Sequence, residues 1–194
     1  FKKRFGNSIN ILLLLPAIDT QLFNTYEIIE KAYSNITSLL NINSKINLII
    51  RPRHKRLLNK FRKIIKINNK DTNRIHFILD DFNTFELMAY SDVLIAEETS
   101  SGLVEAFTNT KLIIIPLMVR HSFKKDLIWA DYSPNTIFDN VYAITNYLKD
   151  LIANKKSFLN NEIITIKSKF YEETSDDTWH RISKEFIKKI NNQN

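Results

Sequence analysis

In the stretch EETSSGLVEAF, residues 97–107, the first six residues place two acids, three hydroxyls and a glycine between an apolar run and a helical pattern. A helix that starts near this point would present unpaired backbone N–H groups, which suit a phosphate. Gly102, one of only two glycines in the chain, would let a ligand approach the backbone closely. Glu105 lies about one helical turn further on, where its carboxylate could accept hydrogen bonds from ribose hydroxyls. The stretch predicts a nucleotide-binding turn formed by Thr99, Ser100, Ser101, Gly102 and Glu105.

The same residues also fit a simpler structural interpretation. Ser100 or Ser101 could cap the helix while Glu105 faces solvent, because serine is common immediately before a helix. The residue types alone leave both interpretations open.

Charged residues near the ends of other apolar runs could complete a phosphate site. Arg51 and Arg53 follow the run NLII, where their charges could neutralise a diphosphate. Glu97, His121 and Asp80 are further candidates, since each lies at or just after the end of an apolar run. No residue stands out as a general base, so the catalytic residues stay unassigned.

Other patterns argue against several enzyme classes. The four histidines, at positions 54, 76, 121 and 180, share no metal-ligand spacing, and cysteine is absent. No glycine-rich loop of the GxGxxG or Walker type occurs, which argues against ordinary dehydrogenases and ATPases. We therefore expect neither a metal nor a bound cofactor, and we expect His76 to be a strand residue.

Apolar runs alternate with amphipathic segments from residue 9 to about residue 118. The runs are continuous, as expected for strands of a parallel sheet that is covered on both faces. Strands are predicted at 9–16, 46–52, 74–79, 92–96 and 111–117. Helices are predicted at 25–41, 55–66, 83–91, 101–109, 140–154 and 178–190, and Asn83 or Thr84 is expected to cap the third. The predicted fold is α/β, a Rossmann-like three-layer domain with a parallel sheet of five or six strands.

The composition is that of a globular chain, with 44% hydrophobic and 25% charged residues among 194. The longest strongly apolar run, INILLLLPAI, is about half as long as a membrane span. The formal charge of +7 can come from Lys-rich solvated faces or can serve an anionic partner. Residues 51–66, RPRHKRLLNKFRKIIK, contain eight Lys/Arg, one His and no acid. This segment could be a solvated helix face or a surface for nucleic acid or an anionic bilayer.

The order SDVLIAEETSSGLVEAFTNTKLIIIPL resembles the donor-binding half of glycosyltransferases with two Rossmann-like domains, the B fold. It is most similar to the CDP-glycerol glycerophosphotransferase and capsule polysaccharide transferase families. In these families a strand ending in an Asp-rich turn meets a Ser-Ser pair, and an acid-bearing helix and an NKPVI-like strand follow, here NTKLIII. The family's Lys/Arg-Pro-His-Pro turn corresponds to RPRH, with Arg53 at the histidine position and His54 displaced by one. Arg181 and Ile182 match the family's closing helix.

The resemblance implies the C-terminal, donor-binding half of a cytoplasmic transferase that makes capsule, or a teichoic-acid-like polymer of the cell envelope, at the inner face of the membrane. Residues 1–194 would form this single domain, and the start at Phe1 is interpreted as that of an excised piece. A missing N-terminal acceptor domain would supply the general base. The donor would be CDP-glycerol or a UDP- or CMP-sugar. Peripheral contact with an anionic membrane would fit such an enzyme, and no nucleic-acid partner is expected.

Two other functions fit parts of the sequence. UDP-sugar 2-epimerases place a Ser-Gly-Gly run and a Glu pair at the same position, whereas this chain has one glycine there. A non-enzymatic module could instead dock its basic helix on nucleic acid or lipid. Steep weakening by salt would identify such phosphate-driven binding.

Overall fold

A computed structural model of the chain describes residues 2–15, 35–55, 58–66, 72–79, 82–97, 112–117 and 134–154, together with the single positions Leu103, Ala106, Leu127 and Ala130. Its centre is a sheet of six strands that pair in parallel. The strands are β1 (Ile9–Leu15), β2 (Ile46–Pro52), β3 (Ile75–Phe77), β4 (Val93–Ala96), β5 (Leu112–Pro116) and β6 (Ile137–Phe138). Their order is β3-β2-β1-β4-β5-β6, as in Rossmann folds. The predicted α/β fold is confirmed.

Five of the strands coincide with the predicted runs because those runs are apolar almost throughout. Every residue of β4 and β5 is buried, as a strand covered on both faces requires. The sixth strand, β6, lies where the sequence predicted loops. It is only two residues long and pairs Ile137 with Ile115, so it leaves no apolar run to detect.

The α-helices with described bounds are α1 (Lys2–Phe5), α2 (Leu58–Lys66), α3 (Thr84–Tyr90) and α4 (Val141–Ala153), and 3₁₀ helices occur at Ser38–Asn41, Thr72–Arg74 and Pro134–Thr136. The predicted cap of α3 is confirmed, since Asn83 Oδ1 accepts a hydrogen bond from the Glu86 N–H at 2.8 Å. Glu86 Oε2 accepts in return from the Asn83 N–H at 3.0 Å. This pair satisfies two backbone donors that the helix itself leaves unpaired. The predicted helix at 178–190 lies outside the described residues.

Successive residues of each strand face opposite sides, so the sheet has a core on each face. The first layer contains Leu39 and Phe61, which pack with Leu13 of β1. The second layer contains Leu87 of α3 and Leu103, which pack with Leu12 of β1. These two cores produce the three-layer arrangement that the continuous apolar runs predicted.

The N-terminal helix α1 was not predicted from the sequence. Its Phe5 is buried in the second layer, and Gly6 then turns the chain into β1 with a φ of 62°, in the left-handed region that favours glycine. Asn47 Nδ2 donates to the Phe5 carbonyl and to Asn10 Oδ1, each at 3.2 Å. These amide contacts fix α1 at the amino ends of β1 and β2, at the opposite end of the strands from the predicted site.

Candidate functional site

The direction in which strands are added to the sheet changes between β1 and β4. The chain adds β2 and β3 on one side of β1, and it adds β5 and β6 beyond β4 on the other side. In open parallel sheets, ligands bind outside the carboxyl ends of the strands at such a switch point. Here β1 ends at Leu15, and β4 ends at Ala96, directly before Glu97. The predicted EETSSG turn therefore follows one of the two strands that form the crevice.

The strand register brings predicted residues from distant parts of the chain to this edge. Leu14 of β1 pairs with Arg51 of β2 on one side and with Ala96 of β4 on the other. Paired residues of parallel strands face the same layer, and Ala96 and Leu14 belong to the second layer, so Arg51 points there too. Two strand spacings, about 10 Å, separate the Cα atoms of Arg51 and Ala96. The carboxyl end of β1 thus lies between a cation and the start of the hydroxyl-rich turn.

Arg51 is half-buried and anchored at this edge. Its Nη1 donates a hydrogen bond of 2.9 Å to the backbone carbonyl of Phe82, which lies just before α3. The contact connects the end of β2 with the loop that follows β3, and it uses one of the five N–H donors of the guanidinium. The side chain is therefore held where a phosphate at the switch point could meet it. Contact with a donor phosphate stays a prediction.

The turn after β2 presents further positive charge. Arg53, His54 and Lys55 are all exposed and follow Pro52, the last residue of the strand. Arg53, which was predicted to meet a donor phosphate, is thus accessible beside the carboxyl edge, and its ligand role stays a prediction. His54 lies in the same turn, one position beyond Arg53, as the sequence order requires.

Glu97 is a buried acid at the switch point. Its side chain is only 3% exposed, although it follows the last residue of β4 directly. Charged carboxylates are rarely buried unless they are paired or hydrogen-bonded, and Glu97 is not without such a polar or electrostatic interaction. A carboxyl held in this way beside the predicted phosphate turn can position the turn, or it can accept a hydrogen bond from a ligand hydroxyl.

The described residues on either side of the predicted phosphate turn are buried. Glu97 is buried on one side, and Leu103 and Ala106 are helical and fully buried in the second layer on the other. Five residues, 98–102, connect these buried positions in the sequence, and the predicted start of the helix near Ser101 lies outside the described residues. Five predicted site residues fall in this region outside the described residues: Thr99, Ser100, Ser101, Gly102 and Glu105. Asp80 and His121 also lie outside the described residues.

His76 lies on β3, as predicted, level with Ile49 in the middle of β2 rather than at the carboxyl edge. The ring of Phe5 meets it edge-on, with 5.0 Å between centroids. Burial, and to a smaller extent the Arg4 guanidinium, lower the pKa of His76. This imidazole is therefore a packing residue that stays neutral near pH 7.

Sequence reasoning missed an aromatic cluster that includes Phe82, the residue whose carbonyl accepts from Arg51. The Phe82 ring lies 6.1 Å from the Phe5 ring, and the Arg4 guanidinium lies 6.0 Å from the centre of Phe82. The cluster supports the loop whose carbonyl receives Arg51. The sequence signal that could have predicted this cluster was the apolar Phe5, which stands next to a glycine near the start of the chain.

No three His, Asp or Glu side chains converge as a metal site within the ranges that the structure describes. No helix in those ranges is long and apolar enough to cross a membrane.

The fold is shared with proteins that handle nucleotide sugars. No protein-family model and no curated protein sequence matches the chain. The C-terminal CMP-Kdo binding domain of WaaA from Acinetobacter baumannii is similar over 84% of this chain and 90% of that domain, with 12% identity and a TM-score of 0.56. A protein from Listeria monocytogenes named as a UDP-N-acetylglucosamine 2-epimerase matches 88% of this chain, with 14% identity and a TM-score of 0.55.

A glycosyltransferase from Rickettsia africae matches 90% of this chain, with 14% identity and a TM-score of 0.52. The chain spans about half of the longer proteins, 47% of the epimerase and 51% of the glycosyltransferase. At these identities the similarity establishes a shared fold, that of a Rossmann-like domain found in the C-terminal, CMP-Kdo binding part of WaaA.

Proposed function

We propose that the chain binds a nucleotide-activated donor at the switch point and forms the donor half of a glycosyltransferase or glycerophosphotransferase that makes a surface polysaccharide or a teichoic-acid-like polymer. The observation that carries this proposal is the register of Leu14, which brings Arg51 and the end of β4 together at one edge. The fold shared with a CMP-Kdo binding domain supports the nucleotide-activated donor. The resemblance of residues 91–117 to CDP-glycerol transferases supports the finer assignment.

The proposed roles follow from charge and position. Arg51 and Arg53 neutralise the phosphates of the donor from the β2 side. Ser100, Ser101 and the backbone N–H groups at Gly102 hold the same phosphates from the β4 side. When the bond between the transferred group and the leaving nucleotide breaks, negative charge develops on that phosphate, and donors fixed before the reaction stabilise it. Glu105 accepts hydrogen bonds from the ribose, which CDP-glycerol and UDP- or CMP-sugars have in common.

In this proposal the chain contributes only part of an active site. The acceptor hydroxyl and the base that takes its proton belong to a second domain, in line with the chain's span of about half the Rickettsia glycosyltransferase. Reaction requires the acceptor to be held against the donor, and that arrangement depends on both domains. The 194 residues should therefore bind nucleotide without turning over an activated sugar or polyol.

A thermal-shift screen with UDP, CDP, CMP, GDP and ADP tests the proposal first. For the nucleotide that gives the largest shift, the double variant Ser100→Ala/Ser101→Ala should lose about 1–3 kcal/mol of binding free energy in calorimetry, because hydrogen bonds to a charged group are lost. Its free energy of unfolding should fall by only about 1 kcal/mol, the value of a helix cap. The matched control Ser8→Ala/Ser44→Ala removes two hydroxyls before β1 and β2, at the amino edge of the sheet, and should leave the affinity unchanged. If the wild type, the double variant and the control bind the nucleotide with equal affinity, Ser100 and Ser101 only cap the helix and do not bind phosphate.

A UDP-sugar 2-epimerase is the second candidate, favoured by the fold shared with the Listeria protein. The single glycine of the 97–102 segment argues against it, since the resemblance to epimerases would require two. The two candidates differ in their products. An epimerase converts a UDP-sugar into its 2-epimer without an acceptor, whereas a transferase releases nucleotide only when an acceptor is present.

A further inference from the structure

The positive charge of the chain is concentrated in one segment. Residues 51–66 hold eight Lys/Arg and no acid, while the other 178 residues hold 20 Lys/Arg and 21 Asp/Glu. The net charge of +7 therefore comes entirely from the 16 residues that end β2 and form the following turn and α2. A solvated face usually mixes both signs of charge, so one-sided charge of this kind indicates an anionic partner.

The structure fixes the direction in which this charge faces. Leu58 and Phe61 of α2 are buried, and Phe61, which is fully buried, packs in the first layer. Arg62 and Lys63, on the same helix, are exposed, and the Arg62 guanidinium lies 5.4 Å from the centre of the Phe77 ring. Because the apolar side is held in the core, the outer side of α2 cannot rotate away from solvent. We call the exposed residues His54 and Lys55 of the preceding turn, together with Arg62 and Lys63, the basic face.

We propose that the basic face docks the protein on a bilayer that contains anionic phospholipids. A bilayer needs only an outward-facing positive surface, and each Lys or Arg that approaches it adds to the attraction. Single-stranded nucleic acid would require aromatic side chains for stacking, and the one Phe, Tyr or Trp of residues 51–66, Phe61, is fully buried. A helix that reads duplex DNA has to enter the major groove, whereas α2 is anchored in the core by the fully buried Phe61.

The contact is electrostatic and does not involve insertion. An interfacial helix would bury apolar side chains in lipid, whereas Phe61, the aromatic side chain of α2, is already buried in the core. Binding should therefore depend on anionic lipid, should be reversible, and should weaken steeply with salt as the Debye length shrinks.

Co-sedimentation of the full chain with vesicles tests this directly. The protein should bind phosphatidylcholine vesicles containing about 30 mol% phosphatidylglycerol at low salt, and should bind neither pure phosphatidylcholine nor the mixed vesicles at about 0.5 M salt. The variant Arg62→Gln/Lys63→Gln removes two charges from the basic face. Its partition coefficient should fall roughly thirtyfold, since each charge contributes about 1 kcal/mol and 1.4 kcal/mol is a factor of ten.

A matched control separates a local surface from net charge. Lys45→Gln/Lys149→Gln removes two equally exposed charges outside the basic face and should change binding less than threefold. Lys63→Gln alone keeps the Arg62–Phe77 contact and should still lose about fivefold, so a folding defect from Arg62 cannot imitate the result. Equal losses from both double variants, or no binding to anionic vesicles at low salt, would refute the proposal. Tighter binding to transfer RNA or duplex DNA at equal phosphate concentration would assign the face to nucleic acid instead.

Discussion

Replacing Arg51 with Met should weaken nucleotide binding and destabilise the fold only moderately. Met keeps most of the apolar stem and removes the charge together with the hydrogen bond of 2.9 Å to the Phe82 carbonyl. Hydrogen bonds from charged groups contribute about 1.5–3 kcal/mol, and the half-buried position favours the lower end. We expect a loss of about 1.5 kcal/mol of unfolding free energy, or roughly 3–6 °C in Tm for a chain of this size. The lost phosphate contact should raise the nucleotide Kd roughly tenfold in calorimetry.

Arg74→Met is the matched control for this change. The Arg74 guanidinium also donates to backbone carbonyls, those of Leu40 at 2.7 Å and Asn43 at 2.8 Å, but it does so at the amino end of β3. With two such bonds lost, Arg74→Met should lower Tm more than Arg51→Met does and should leave Kd unchanged. The proposed phosphate contact is wrong if both variants shift Kd equally, or if Arg51→Met lowers Tm and leaves Kd unchanged. In either case Arg51 only anchors the Phe82 loop.

Three further predictions concern stability. Because burial lowers the pKa of His76 in the folded state, the unfolded chain binds more protons below about pH 6.5 and stability falls as pH drops through that value. His76→Phe should therefore flatten the Tm–pH profile below pH 6.5, and Arg4→Gln should flatten it only in part. If the His76→Phe profile is identical to that of the wild type, burial of His76 does not cause the pH dependence. Asn83→Ala removes the cap of α3 and should cost about 1 kcal/mol, or about 2–4 °C in Tm, whereas an unchanged Tm would show that the cap adds nothing. Thr145 Oγ1 is buried and has no hydrogen-bond partner in the part of the chain that the structure describes, so Thr145→Val should keep or raise Tm in the same melts, and a clear decrease would reveal a partner.

The sequence predicted the elements that have strong local signals. The runs of β1, β2, β4 and β5 are long and apolar because both faces of those strands are buried, and Asn83 with Glu86 follows the spacing of a capping box. In contrast, β6 has two residues, and α1 has four. Elements this short have no periodicity, and they form because Ile115 and the aromatic cluster offer partners that only the folded chain assembles.

The candidate site could also be predicted from the sequence only in part. That Arg51 lies at a strand end follows from the NLIIRP pattern, whereas its bond to Phe82 joins residues that are distant in sequence. The burial of Glu97 was not predictable either, because it depends on tertiary packing around the end of β4 and not on the local sequence. The order of the strands, which decides where the ligand crevice lies, also depends on long-range pairing.

Hydrogen–deuterium exchange with mass spectrometry, with and without the nucleotide that gives the largest thermal shift, tests the central claim most directly. Binding at the switch point predicts slower exchange in peptides covering residues 48–55 and 93–106, because backbone N–H groups there become hydrogen-bonded or shielded. Peptides covering residues 5–10 and 43–47, at the amino edge of the same strands, should exchange unchanged. Protection confined to the amino edge or to α2 at saturating nucleotide would place the ligand elsewhere and contradict the assignment of this crevice as the donor site.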